Sequence, residues 1–371
     1  MSDIQKLVQD ALDELVESGT ETGLQAAVYV DGELAADAVA GLADPESGRP
    51  VTSDTPFWSA STGKGVTSTV VHTLVEKGLF GYDTRIVELW PEFGVHGKEG
   101  ATIRHALTHS AGVPGLPADI TPEDLTDWDK MAGIVASAEP WWEPGTQTGY
   151  HSVTFGWLLG EVVRRATGKP ISQVLREEVA APLGLENELF LGVPEAELGR
   201  LAKLDDAPID PNAFGDLPED FPLFKTAPPA IMPSAAYGNR ADILVSDIPA
   251  GGTMTARSLA KMYAALLGEV DGVRLVSQAR LEEITALAVD DLDQVVFAPS
   301  PKALGYFLGR PGSDPQQSLT VFGAQGMGGS AAYGDTRTKV SFALTKNRFN
   351  PTEASAVERV GGIVAKAVSG S

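Results

Sequence analysis

The chain contains no cysteine among its 371 residues. Disulfide frameworks, thiolate zinc sites, iron–sulfur clusters and cysteine nucleophiles are excluded together. Basic side chains are scarce as well: 28 Lys and Arg against 50 Asp and Glu leave a formal net charge of −22. Such a surface repels phosphate backbones and anionic headgroups, so neither nucleic acid nor a membrane is an expected partner. Aromatic residues make up only 7%. With this charge, the six Trp, including the Trp141-Trp142 pair, read as core or pocket lining rather than a base-stacking surface. No stretch approaches the ~20 apolar residues that span a bilayer. Met1 to Ser18, dotted with Asp10, Asp13, Glu14 and Glu17, lacks the basic and apolar regions of a secretory signal, and a cytoplasmic protein is the expectation.

What is present is ample core material, 43% hydrophobic, in a chain long enough for two domains or one domain with a large insertion. Ile4, Leu7, Val8, Ala11, Leu12, Leu15 and Val16 recur at helical spacing. Leu24 to Val30 and Glu33 to Val39 flank Asp31-Gly32, a hairpin signal. At the other end, Leu319 to Phe322, Ser330 to Tyr333 and Lys339 to Thr345 read as strands, followed by a helix carrying Ala356, Val357, Val360, Ile363, Val364 and Ala367. The expected fold is α/β (α+β): an antiparallel sheet built from both termini and flanked by helices, residues 1–64 and 240–371. A mostly helical insert, residues 65–239, interrupts it. Within that insert, residues 205–233 hold seven prolines and six acidic residues and predict a long irregular loop. Thr255 predicts the cap of a helix over 256–267.

Ser61-Thr62-Gly63-Lys64 follows an extended apolar stretch and enters a helical one. A lysine three residues after a serine lies on the same helix face. A serine hydroxyl is a weak nucleophile until a neighbouring base takes its proton, and a lysine shut away from water gives up its own proton more easily. The helix N-terminus offers free N–H groups for an oxyanion. Ser258 and Lys261 repeat the spacing, but inside an amphipathic helix, where a structural reading prevails. A second segment, Glu143 to Ser152, is a turn-rich loop delivering Tyr150 and Ser152, the latter as a candidate N-cap. A tyrosine beside a lysine ammonium has its phenolate favoured, making Tyr150 a candidate proton shuttle. The third, Phe322 to Ser330, is a Gly-rich strand edge able to approach a substrate closely.

In this order the three segments resemble the serine β-lactamase/penicillin-binding-protein superfamily, and within it the class C-like esterase branch, the family VIII carboxylesterases. Its Ser-x-x-Lys motif matches Ser61 to Lys64, and its Tyr-x-Asn/Ser motif matches Tyr150-His151-Ser152. Its Lys-Thr-Gly or His-x-Gly motif falls on Ala324-Gln325-Gly326. Leu107 to Val113, Glu143-Pro144-Gly145, Pro182 to Leu185 and Ile248 to Gly252 look similar too, so the resemblance covers essentially the whole chain. It implies a β-lactamase/transpeptidase-like fold and a catalytic Ser61, Lys64 and Tyr150. The oxyanion hole would come from the N–H groups of Ser61 and Met327. Ser152, Ala324, Gln325, Gly326, Tyr237 and Trp142 would contact substrate, with no metal and no cofactor.

Two departures bear on substrate. Ala324 replaces the usual Lys, His or Trp, so no cation stands there for a substrate carboxylate, and Ser152 replaces an Asn amide that would meet an acylamide. Both point to neutral esters. The expected function is therefore a carboxylesterase acting on a small-molecule ester. An acyltransferase using the same site is the main alternative, and a β-lactamase, a D-aminopeptidase or a weakly catalytic sensor or scaffold ranks behind. Tyr237-Gly238-Asn239 also spells Tyr-x-Asn, but the Glu-Pro-Gly lead-in and following helix favour Tyr150, leaving Tyr237 as a pocket-wall or lid residue. No Gly-x-Ser-x-Gly elbow or P-loop is present. His105 and His109 lack the Glu and further ligands of a zinc site and read as structural. Gly326-Met327-Gly328 is not followed by a pyrophosphate-binding helix.

Overall fold

The structure, a computed structural model, describes residues 4–208, 217–218, 220–351 and 354–369. The N-terminal alternation folds as a hairpin of Gly23–Val30 and Glu33–Asp44. A two-residue turn of this kind needs two left-handed residues, and Asp31 and Gly32 supply them with φ of 49° and 84°. From the far end come Phe307–Leu308, Val321–Gln325, Ala331–Asp335 and Val340–Lys346. Val340–Lys346 pairs antiparallel with Gly23–Val30, Val28 opposite Phe342, closing one seven-stranded sheet from both ends of the chain. The first of the three expected C-terminal strands starts at Val321 rather than Leu319, because a 3₁₀ turn at Pro315–Gln317 and its cap Ser318 occupy the approach. Ala324 and Gln325 are thereby strand residues.

Side chains alternate across this sheet. Ala26 and Val28 join the layer formed with Ile4–Glu17 and Ser355–Ser369, while Ala27 and Tyr29 face the larger core. In that core Ala256–Leu267 lies beneath the sheet, and its N-cap Thr255 accepts the Ser258 N–H at 3.0 Å. Ser258 Oγ bonds the Glu188 carbonyl and Lys261 Nζ the Leu183 carbonyl, so this second Ser-x-x-Lys is a packing feature. Farther out are Gly63–Glu76, Trp128–Ser137 and Thr154–Thr167. Ile171–Leu175 follows and passes into a π turn at Arg176–Ala180. A small sheet of Phe57–Trp58, Thr253–Met254 and Leu189–Phe190 anchors the segment leading to Ser61.

The proline-rich stretch is less irregular than its composition predicts. Asp205–Asp206 pairs with Arg348–Phe349, and Pro222 and Pro229 open short helical turns at Pro222–Thr226 and Pro229–Ile231. Proline is well suited to a first helical position, where its missing N–H costs nothing. Residues 209–216 and 219 of this stretch lie outside the described residues. Among the described residues, no helix is long and apolar enough to cross a membrane.

Candidate active site

Ser61 sits in a 3₁₀ turn, Ala60–Thr62, that runs directly into Gly63–Glu76. The turn is tight. Ala60, a residue with a Cβ, has a φ of 43°, a conformation that surrounding structure must enforce. Glycines make the enforcement possible. A Cβ on Gly63 would lie 2.1 Å from the Gly251 carbonyl oxygen, and one on Gly326 2.2 Å from that of Ser59. The strand edge and the Pro249–Gly252 segment are thus pressed against the serine turn, with Thr62 Oγ1 tied to the Ser330 carbonyl at 3.0 Å.

The i,i+3 spacing brings Lys64 Nζ to 2.9 Å from Ser61 Oγ, and Nζ also donates to the Ala250 carbonyl at 3.0 Å. Tyr150 Oη donates to the same Ser61 Oγ at 2.8 Å. The serine oxygen lies between the two groups. Lys64 is fully buried, and burial alone pushes its ammonium down to about 7. Tyr150 departs from the phenolate-favouring reading. Burial pushes its phenol up to about 12, the bond to Ser61 opposing and the Asp293 carboxylate reinforcing the rise. The desolvation that frees Lys64 of its proton keeps Tyr150 neutral.

The Tyr150 loop is braced from behind. His151 Nε2 accepts the Val113 N–H at 3.1 Å while Nδ1 bonds the Gly149 carbonyl at 2.7 Å. His109 Nδ1 accepts the His151 N–H at 3.0 Å, and its ring lies 5.3 Å from that of Tyr150. Burial keeps both imidazoles neutral, far below their ordinary value for His109 and at about 4 for His151. His105 Nδ1 instead accepts the Thr102 N–H in a capping box, so the two histidines of the i,i+4 pair serve separate local structures. Trp142 is not on the cleft wall: its indole N–H bonds the Ser110 carbonyl and its ring packs against Gly149 and edge-on to His151. Ser152 is not the helix cap either. That position falls to Val153, and Ser152 faces the cavities beside Ser61.

Comparison with known proteins gives the chain's family. A sequence model of the Beta-lactamase family matches residues 8–365. The chain belongs to the beta-lactamase family. It is 36% identical over 340 residues to the esterase/beta-lactamase LipL of Mycobacterium tuberculosis (strain ATCC 25618 / H37Rv), a match covering 87% of this chain and 76% of that one. The crystal structure of a family VIII carboxylesterase is similar with a TM-score of 0.87 at 31% identity, over 98% of this chain and 97% of that one. A penicillin-binding protein homologue from Caulobacter crescentus gives 0.85 at 29% identity, over 99% and 98%.

In this beta-lactamase family member the remaining predicted residues border three cavities. A lobe of about 390 Å³ is lined by Ser61, Tyr150, Ser152, Gln325, Gly326 and Met327, with Leu223 and Met232 from the proline-rich stretch. Ser61 and Met327, whose main-chain N–H groups the sequence resemblance assigns to the oxyanion hole, both line it. A second lobe of about 420 Å³ shares Tyr150, Val296 and Gln325 with the first and reaches Ala324. Arg310 also lines it, so the lobe holds a cation that the reading of position 324 alone did not provide. Behind Ser61 a pocket of about 50 Å³ is closed by Trp58, Ile243, Leu244 and Tyr237, whose ring lies 5.6 Å from that of Trp58. Tyr237 is therefore a pocket wall, distant in role from the Tyr150 hydroxyl. The residues without a sequence signal are Asp293 and Lys302, a buried pair whose carboxylate accepts the Tyr150 N–H.

Proposed function

We propose that this esterase-like serine hydrolase is a carboxylesterase acting on small or medium neutral esters through an acyl-enzyme on Ser61. The observation that carries the reading is Ser61 Oγ held between Lys64 Nζ at 2.9 Å and Tyr150 Oη at 2.8 Å, with Lys64 poised near neutrality. Neutral Lys64 takes the Ser61 proton as Oγ attacks the acyl carbonyl, and the developing oxyanion meets the N–H groups of Ser61 and Met327. Collapse of the tetrahedral intermediate breaks the ester C–O bond. Neutral Tyr150 gives the departing alkoxide its proton and recovers one from Lys64. Water then attacks the acyl-enzyme, its proton passing through Tyr150 to Lys64; the acyl–Oγ bond breaks, Lys64 returns the proton to Ser61 Oγ, and the acid leaves. Tyr150 is thus a relay rather than the resident base.

The similarity to a family VIII carboxylesterase along nearly the whole chain supports ester substrates. The test is hydrolysis of a p-nitrophenyl ester series, a cephalosporin and a thioester by wild type and Ser61→Ala. Ester turnover that vanishes in the variant is expected, and full activity in Ser61→Ala ends the mechanism. One observation favours the acyltransferase alternative. The two lobes meeting at Tyr150 could seat an acyl group and a second alcohol side by side. Adding alcohols or amines to the acyl-enzyme distinguishes them: transfer outrunning hydrolysis decides for the transferase.

A further inference from the structure

Asp293 lies on a loop that no motif marks, yet its carboxylate makes four contacts. Oδ1 accepts the main-chain N–H groups of Tyr150, Val295 and Val296 at 3.0, 2.9 and 3.1 Å, and Oδ2 meets Lys302 Nζ at 3.0 Å. The side chains of the pair are 0% and 1% exposed. Lys302 Nζ is fixed further by the Ser300 carbonyl at 3.1 Å and lies 5.8 Å from the Phe307 ring centroid. Two residues before Tyr150, the Thr148 carbonyl accepts the Gln294 N–H at 2.9 Å, so residues 293–296 run alongside the loop that ends in Tyr150. Val295 and Trp142 both close on the position a Cβ of Gly149 would occupy.

A buried ion pair adds little net stability compared with apolar side chains of the same volume, so stability alone does not account for this one. Its geometry is directional. Among the described residues, the only main-chain donor it takes from outside its own loop is that of Tyr150, whose hydroxyl meets Ser61. We propose that Asp293, held by Lys302, is the positioning residue for Tyr150: by fixing the Tyr150 main chain it sets the phenol against Ser61 Oγ. The same carboxylate ties Val296, which lines both lobes of the cleft, to that placement. The inference rests on the acyl-enzyme chemistry proposed for Ser61. Misplacement of a reacting group by about 1 Å costs on the order of a hundredfold in rate, which sets the expected scale.

The test compares wild type with Asp293→Ala/Lys302→Met and Asp293→Asn/Lys302→Met. Neither double variant leaves a lone buried charge, and only Asn keeps an acceptor for the Tyr150 N–H. The Ala variant is expected to lose kcat by about a hundredfold with KM changed less than about threefold, and the Asn variant to recover to within about tenfold of wild type. An Ala variant that keeps wild-type kcat overturns the proposal. Placement is read without turnover by ¹⁹F NMR of protein carrying 3-fluorotyrosine, the Tyr150 signal being assigned with Tyr150→Phe. A shifted or broadened signal in the Ala variant is expected, and an unchanged signal overturns the proposal even if wild type hydrolyses no ester, an outcome that separately ends the carboxylesterase reading. Should the Ala variant not fold, Asp293→Glu keeps the ion pair but moves the acceptor by one methylene. The same kcat loss and signal change are expected there, and wild-type values overturn the proposal.

Discussion

Lys64→Met separates the function of Lys64 from its energetic burden. Lys64 is fully buried without a carboxylate partner, and burial lowers its ammonium from the ordinary 10.5 to about 7. At about 1.4 kcal/mol for each pH unit, charging it in the folded protein costs about 5 kcal/mol more than in the unfolded chain. The sign follows from proton binding. Between about pH 7 and 10.5 the unfolded chain holds a proton that the folded protein has released, so stability rises with pH across that window. The cost is full below about pH 7, still about 4 kcal/mol at pH 7, and about 1 kcal/mol at pH 10. Met removes it but leaves the Ala250 carbonyl without its donor, a loss of about 1–2 kcal/mol. Lys64→Met is therefore expected to be inactive yet more stable by about 2–3 kcal/mol at pH 7, the gain vanishing by pH 10. Urea unfolding of both proteins at the two pH values measures this. A variant no more stable at pH 7, or a gain equal at both, refutes the reasoning.

The pH dependence of kcat/KM should show activity lost as pH falls through about 7, because protonated Lys64 cannot accept the Ser61 proton; a flat profile from pH 5 to 8 would remove Lys64 as base. Tyr150→Phe deletes the relay and should lower kcat by about 10²–10⁴-fold with stability little changed, as steady-state kinetics beside thermal unfolding will show. Gly63→Ala places a Cβ 2.1 Å from the Gly251 carbonyl oxygen and should destabilise by about 1–3 kcal/mol or more, measured by urea midpoint. Ala324→Lys adds a cation to the lobe that Arg310 already borders, and should favour acylation by a carboxylate-bearing cephalosporin over a neutral ester by about tenfold, one pairing's worth of about 1.4 kcal/mol.

Local signals carried well from sequence to structure. Asp31-Gly32 demanded two left-handed residues and the hairpin formed there, and the Ser61–Lys64 spacing is a property of one helical turn. Thr255 caps the helix it was expected to cap. What failed depended on surroundings that no local pattern encodes. The pull of a nearby ammonium favours a Tyr150 phenolate, but the phenol is buried and desolvation prevails. Ser152 has the chemistry of a cap, but the helix begins one residue later and Ser152 lines the cleft. Trp142, read as a substrate contact, is used behind the Tyr150 loop. Asp293 and Lys302 lie more than 140 residues beyond Tyr150, in a loop without periodicity, so only the folded chain brings the carboxylate to its N–H. Position 324 carries no cation, and Arg310 reaches the same lobe from a segment that no motif marks.

The central claim is that Ser61 is the nucleophile and carries an acyl group during turnover. Mass spectrometry of the intact protein quenched during turnover of a p-nitrophenyl ester, followed by peptide mapping, tests it most directly. The account predicts a mass increase equal to one acyl group, mapped to Ser61 and absent from Ser61→Ala. Steady ester turnover with no adduct trapped, or an adduct mapped to another residue, would contradict it.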